Sequence, residues 1–180
     1  MEDWYKVQDE PARDVHERLR ALLDREGAHY RVIEHPEEGR TEYITRIRGN
    51  RLEQAVKSLV VQVRLSRKEN LYALANVPGD CRLDFEGIRA HFNADSVAMA
   101  PREKAQALTG CVPGAIPPFS FNEKLHLLAD PLIRENEEVV FNAGRLDRSI
   151  FMKLEDYVRI ARPAWVRMAI REEKTTDGHR

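Results

Sequence analysis

Between Leu108 and Phe119 the chain reads LTGCVPGAIPPF, two glycines and three prolines in twelve residues. Neither a helix interior nor a central strand accommodates that density. Each proline removes a backbone donor and fixes φ, and each glycine loses extra conformational entropy on ordering. The stretch is therefore a stiff loop, and the rest of the fold must be arranged around it. Gly110 and Gly114 let backbone approach a ligand with no Cβ between, while Pro113, Pro117 and Pro118 brace the turn. Such a loop can present main-chain N–H groups to a carbonyl or phosphate oxygen. It serves equally as a rigid connection between a helix and a strand, and the residues alone leave both readings open.

The flanking patterns mix helix and strand without regular βαβ alternation, which predicts an α+β fold rather than a doubly wound sheet. DVHERLRALLDREG places Val15, Leu19, Leu22 and Leu23 on one helical face, with Asp14 to cap it and Gly27 to end it. Thr41 is the expected cap of a short helix ending at Gly49, Asp84 caps LDFEGIRAHF, and Pro101 opens a helix that Gly110 stops. RLEQAVKSLVVQVRL starts helical and turns β-branched, predicting a buried strand over 57–65. LYALANVPGD, HYRVIEH, KLHLLAD, EEVVFNAG and SIFMKL are further strands, and LEDYVRIARPAW is a helix broken near Pro163. The expected organisation is an N-terminal extension over 1–12, one domain over 13–170 and a mobile tail over 171–180.

With 180 residues, the chain is long enough to bury a core without disulfides or metals. No apolar run reaches the roughly 18 residues needed to span a bilayer. MEDWYKVQDEPARD lacks an apolar signal region, and Cys81 and Cys111 show no CxxC spacing, so free thiols in a cytoplasmic protein are expected. His16, His29, His35, His91, His126 and His179 form no HExxH and no finger spacing. P-loop, GxGxxG and GxSxG signatures are also missing, so neither metal nor cofactor is expected. The net charge of −1 conceals a basic segment: Arg40, Arg46, Arg48, Arg51, Lys57, Arg64, Arg67 and Lys68 face only Glu42 and Glu53. It marks either a polyanion-binding face, with Arg40, Arg46, Arg48 and Arg51 as RNA contacts, or a set of solvated surfaces.

Two side chains stand out as chemistry. Cys111 follows a predicted helix C-terminus, where the dipole disfavours a thiolate, so it reads as small core filling unless a histidine reaches it. Lys57 sits at the mouth of the predicted core strand, either pointing to water or receiving negative charge beside the loop.

In combination, VIEHPEEGRTE, AVKSLVV, LYALANVPGD, LTGCVPGAIPPFSF and FNAGRLDRSI resemble, in order and spacing, the YbaK/prolyl-tRNA-synthetase-associated editing family, its YeaK-like branch in particular. The resemblance covers roughly Val15 to Ala161. It implies a mixed, curved, barrel-like sheet flanked by helices, and hydrolysis of the ester joining a wrong amino acid to the 3′-terminal adenosine of tRNA. Serine or threonine is the implied acyl group ahead of alanine or cysteine, and the alternative is a noncatalytic tRNA-binding module of the same fold. It implies mischarged tRNA as partner and, for some relatives, docking on a synthetase. By this likeness Lys57 is the signature lysine, and Gly110, Pro113, Gly114 and Pro117 belong to the loop that fixes the ester carbonyl. The ribose 2′-hydroxyl then assists the attacking water. Ser58 and Thr109 are candidates for selecting the amino acid, Cys111 and Ala115 complete the loop, and Asn142, Gly144 and Asp147 match a second substrate loop.

Overall fold

The computed structural model describes residues 14–173. The expected extension over 1–12 lies outside the described residues, as does most of the expected tail. Arg171 itself is still paired in a strand, so the tail begins later than its first expected residue.

Helix α1 (Val15–Arg25) forms where expected. The Asp14 side chain accepts from the Glu17 N–H, satisfying one of the helix's orphan donors. Its apolar stripe is buried, with Leu19 and Leu23 fully removed from water, each a gain of about 1.5–3 kcal/mol. Strand β1 (Tyr30–Glu34) follows, then α2 (Thr41–Arg48). Here Arg40, not Thr41, is the capping residue, with no side-chain bond to the helix; Gly49 closes the other end at φ +75°. The expected helical start of the next segment is only a single 3-10 turn, Leu52–Gln54. Its β-branched residues begin β2 (Val56–Arg64) one residue earlier than the pattern predicted.

Strands β3 (Asn70–Pro78) and β4 (Cys81–Leu83) lead to α3 (Phe85–Phe92), capped by Asp84 onto Glu86. Strand β5 (Ser96–Met99) and α4 (Arg102–Thr109) precede the Gly/Pro loop, and β6 (Leu125–Ala129), β7 (Glu138–Arg145) and β8 (Arg148–Lys153) follow it. Helix α5 (Leu154–Ala161) ends at Arg162, φ +47°, just before Pro163; β9 (Ala164–Trp165) and β10 (Ala169–Arg171) complete the described chain.

A mixed five-stranded sheet has the order β5-β2-β3-β6-β9, antiparallel from β5 to β3 and parallel from β3 to β9. A second, antiparallel sheet runs β1-β8-β7, and β4 pairs with β10. The α+β architecture with a mixed sheet is as expected, but the barrel-like closure is not present. The two larger sheets meet through one isolated parallel bridge, Ala55 with Val140. One face of β2 and β3 packs Val60 and Leu74 against Val15, Cys111 and Ile116; the other packs Val61, Ala75 and Val77 against Ile88 and Met168. No helix among the described residues is long and apolar enough to cross a membrane.

The α5 side of the core holds one anomaly. Tyr157 is fully buried, edge-on to Phe119 at 5.4 Å, and its hydroxyl has no hydrogen-bond partner among the described residues. Burial pushes the phenol well above its ordinary value. An orphaned buried hydroxyl is a desolvation penalty without return, so Tyr157→Phe should stabilise the protein by about 1 kcal/mol. A higher urea midpoint at unchanged slope is the expected reading, and a lower midpoint contradicts it.

Candidate functional site

Beyond the Ala55–Val140 bridge no strand pairing joins the two larger sheets among the described residues, and β5 does not extend far enough along β2 to cover its start. Its pairing ends at Val61–Met99, after which only the Ala100 N–H reaches the Val60 carbonyl. In a strand, the main-chain groups of residues two apart point the same way. The N–H and C=O of Ser58 therefore point as those of Val60 do, along a stretch where no strand pairs with β2. A cleft of about 140 Å³ occupies this gap, lined by Val56, Lys57, Ser58 and Leu59 from β2 and Thr41, Ile44 and Arg48 from α2. Gly39, Gly114, Ile116 and Asn142 complete it.

The Gly/Pro loop divides into two halves with different work. The first half finishes α4. Gly110 (φ +69°) donates to the Gln106 carbonyl, and Thr109 Oγ1 donates to the Ala105 carbonyl while accepting from the Cys111 N–H. Cys111 is buried against Val60 and Leu74, and that burial pushes its thiol up to about 11. The second half reaches the cleft. Gly114 (φ +86°) and Ile116 line it, and neither main-chain N–H finds an acceptor among the described residues; the Ala115 N–H by contrast bonds the Val112 carbonyl. Pro113 lies on a wider hollow of about 510 Å³ that shares Gly39 and Gly114 with the cleft.

Asn142 fastens this arrangement. Its Nδ2 donates to both the Glu38 and Gly114 carbonyls at 2.9 Å, and its Oδ1 accepts from Ser149 Oγ. Ser149 Oγ also accepts from Arg48 Nη1 at 3.1 Å. Arg48 is half-buried, and burial pulls its guanidinium down to about 10. No carboxylate lies within ion-pair distance of Arg48 or of Lys57 among the described residues, and none lines the cleft. Among the described residues, two cations without counter-ions therefore border a site supplied with N–H donors that have no acceptor.

Of the residues expected from the sequence, Arg48, Lys57, Ser58, Gly114 and Asn142 line one cleft. Gly110, Thr109, Cys111, Ala115 and Pro117 do not: they end α4 or pack beneath the loop. Gly144 sits at the irregularity in β7, where an added Cβ would stand 2.7 Å from the His16 nitrogen, and it donates to the Ala115 carbonyl. Asp147 lies in the β7–β8 turn, paired with Arg148. The four arginines also separate. Arg40 is held by Glu38 and stacks on Tyr43 at 3.9 Å, Arg51 lies 3.7 Å from Glu53, Arg46 is exposed with no partner among the described residues, and Arg48 lines the cleft. Gly39, Thr41 and Ile44 were not expected in the site; the glycine just before a helix start was the only local signal. Given its position, Cys111→Ala should leave the ester hydrolysis that the sequence resemblance implies within about twofold of wild type, and a loss beyond tenfold would restore the thiol as a nucleophile.

A family model described as the aminoacyl-tRNA editing domain matches residues 35–160. The multifunctional Ser/Thr-tRNA deacylase ProXp-y of Escherichia coli (strain K12) is 44% identical over 153 residues, 84% of this chain and 91% of that protein. Among solved structures, a hypothetical protein superposes with a TM-score of 0.76 at 17% identity, covering 84% of this chain and 99% of that one. A protein assigned to trans-editing for prolyl tRNA synthetase gives 0.71 at 22% identity, covering 91% and 100%. These two likenesses concern the fold, whereas the family match and the identity to the deacylase concern the sequence itself, and on those the chain belongs to the aminoacyl-tRNA editing domain family.

Proposed function

We propose that this protein is a trans-editing aminoacyl-tRNA deacylase that releases serine or threonine from mischarged tRNA. The observation that carries the reading is the pair of N–H groups, on Gly114 and Ile116, that find no acceptor among the described residues and lie in the same cleft as Lys57 and Arg48. An aminoacyl ester is already activated, so its hydrolysis needs no metal and no covalent nucleophile. Water adds to the ester carbonyl, the oxyanion that develops is met by the two loop amides, and the ribose 3′-oxygen leaves with a proton. Donors held in place before the reaction are worth about 3–4 kcal/mol each, or 10²–10³ in rate. The adjacent ribose hydroxyl of the substrate orients the water, as the family resemblance implies.

Lys57 and Arg48 supply the other half. Both are cations without carboxylate partners among the described residues, suited to the phosphate of the terminal nucleotide, and Arg48's planar fork also fixes direction. The exposed Arg46 extends the positive surface along α2 toward the tRNA. Purified protein should release serine from Ser-tRNA well above the buffer rate, and Lys57→Ala should lower kcat/KM by about 10²-fold, as loss of a positioning contact does. If wild-type protein matches buffer with Ser-, Thr-, Ala- and Cys-tRNA alike, the reading fails, and salt-sensitive tRNA binding without release would mark a binding module instead.

A further inference from the structure

We propose that Asn76 is a positioning residue that fixes Ser58 as a hydrogen-bond acceptor for the side-chain hydroxyl of the departing amino acid. The inference rests on the deacylase reading and names the contact that selects the acyl group.

Asn76 lies directly across from Ser58 in the β2–β3 register and is fully buried. A buried amide must satisfy both ends. Its Nδ2 donates to the Leu128 carbonyl at 2.8 Å and to the Leu74 carbonyl at 3.4 Å. Turning the amide over would set its oxygen against two carbonyl oxygens, so the backbone dictates its orientation. Oδ1 consequently faces Ser58 Oγ, 2.6 Å away. A serine hydroxyl has one proton and two lone pairs. The proton is committed to Asn76, which leaves the lone pairs to accept from whatever enters the cleft that Ser58 lines.

What enters must therefore donate. An aminoacyl ester offers two kinds of donor, its α-ammonium and, in serine or threonine, a hydroxyl. The cleft is lined by Lys57 and Arg48 and by no carboxylate among the described residues, so a third cation is repelled there. Ile44, Val56, Leu59 and Ile116 make the remaining wall largely apolar, which suits a small neutral group with a single polar tip. A hydroxyl satisfies Ser58, whereas the methyl of alanine leaves its lone pairs desolvated and unpaired.

The test is the ratio of kcat/KM for Ser-tRNA to that for Ala-tRNA on the same tRNA body. In Ser58→Ala and in Asn76→Ala this ratio should fall at least tenfold, and the double variant should fall no further than Ser58→Ala alone. Asn76→Asp, whose protonated carboxyl can still donate to Leu128 and accept from Ser58, should keep the ratio close to wild type. A merely structural role lowers both substrates together and leaves the ratio where it was. Thermal melts identify a variant that does not fold, and the comparison then rests on Ser58→Ala and Asn76→Asp. The proposal is overturned if the ratio stands unmoved in Ser58→Ala, or if it falls in Asn76→Asp as far as in Asn76→Ala. Wild-type protein that releases neither amino acid above buffer overturns the deacylase reading and this one with it. An active wild type with an unmoved ratio overturns this one alone.

Discussion

Gly114→Ala is expected to lower kcat/KM for Ser-tRNA by at least about 100-fold while the protein still unfolds cooperatively. Gly114 has φ +86°, a conformation that costs a non-glycine residue on the order of 1–3 kcal/mol. A Cβ there would stand 2.7 Å from the Gly39 Cα and 2.8 Å from its carbonyl oxygen. Both are backbone atoms, so no side chain can swing aside. Asn142 ties the Gly114 carbonyl to that of Glu38, so the loop and the segment before α2 must shift together. The displaced group is the amide assigned to the oxyanion, where a misplacement of about 1 Å removes most of the advantage. The effect should fall on kcat more than on KM. Gly110→Ala is the matched control. It also has positive φ (+69°), but the nearest atom its Cβ would meet is Val15 Cγ2 at 3.1 Å, a side chain outside the cleft. It should lose stability and keep turnover. Equal losses of activity in the two variants would remove the distinction between the halves of the loop.

Asp130→Ala carries the largest expected loss of stability, about 4 kcal/mol, or on the order of 10 °C in Tm. Asp130 is 3% exposed, and its carboxylate accepts three main-chain hydrogen bonds: from Leu132 at 2.8 Å and from Met168 and Ala169 at 2.7 Å each. Bonds to a charged acceptor are worth more than neutral ones, and removing the acceptor leaves donors stranded beside the fully buried Met168. The carboxylate also ties the end of β6 to β10, which pairs with β4 over the cluster around Ile88. Asp130→Asn, with one oxygen left to accept, should fall between wild type and alanine. A Tm within 2 °C of wild type for Asp130→Ala would show that the C-terminal segment is held by packing alone.

The features legible in the sequence are those that a few adjacent residues decide. Asp14 and Asp84 cap their helices and Gly49 and Gly110 stop theirs, because the orphaned N–H and C=O groups of a helix end are satisfied within a turn. Strands β4, β5, β9 and β10 went unanticipated. Each is two to four residues long and exists only because a partner lies alongside it, as Arg171 does with Cys81. That the two larger sheets meet only at the Ala55–Val140 bridge, and not in a closed barrel, is likewise encoded by nothing local. The site divides in the same way. Lys57, Ser58 and Gly114 belong to short motifs, and the family resemblance points to them directly. Asn76 is one polar residue inside an apolar strand pattern, and only the register across β2 and β3 gives it a role. Thr109 and Cys111 were grouped with Gly114 because they are neighbours in sequence, but the end of α4 sets them apart from it in space.

The short stretch of β2 that lies open at Ser58 is an adhesive surface as well as a doorway. Unpaired strand backbone is a template onto which another copy of the same chain can stitch itself. Here the exposure is brief, sunk between α2 and the loop, and bordered by Lys57 and Arg48. Like charges would collide if two such edges met. The pair proposed to receive the tRNA phosphate would thus also keep molecules of this protein apart, and neutralising it should cost colloidal solubility as well as turnover.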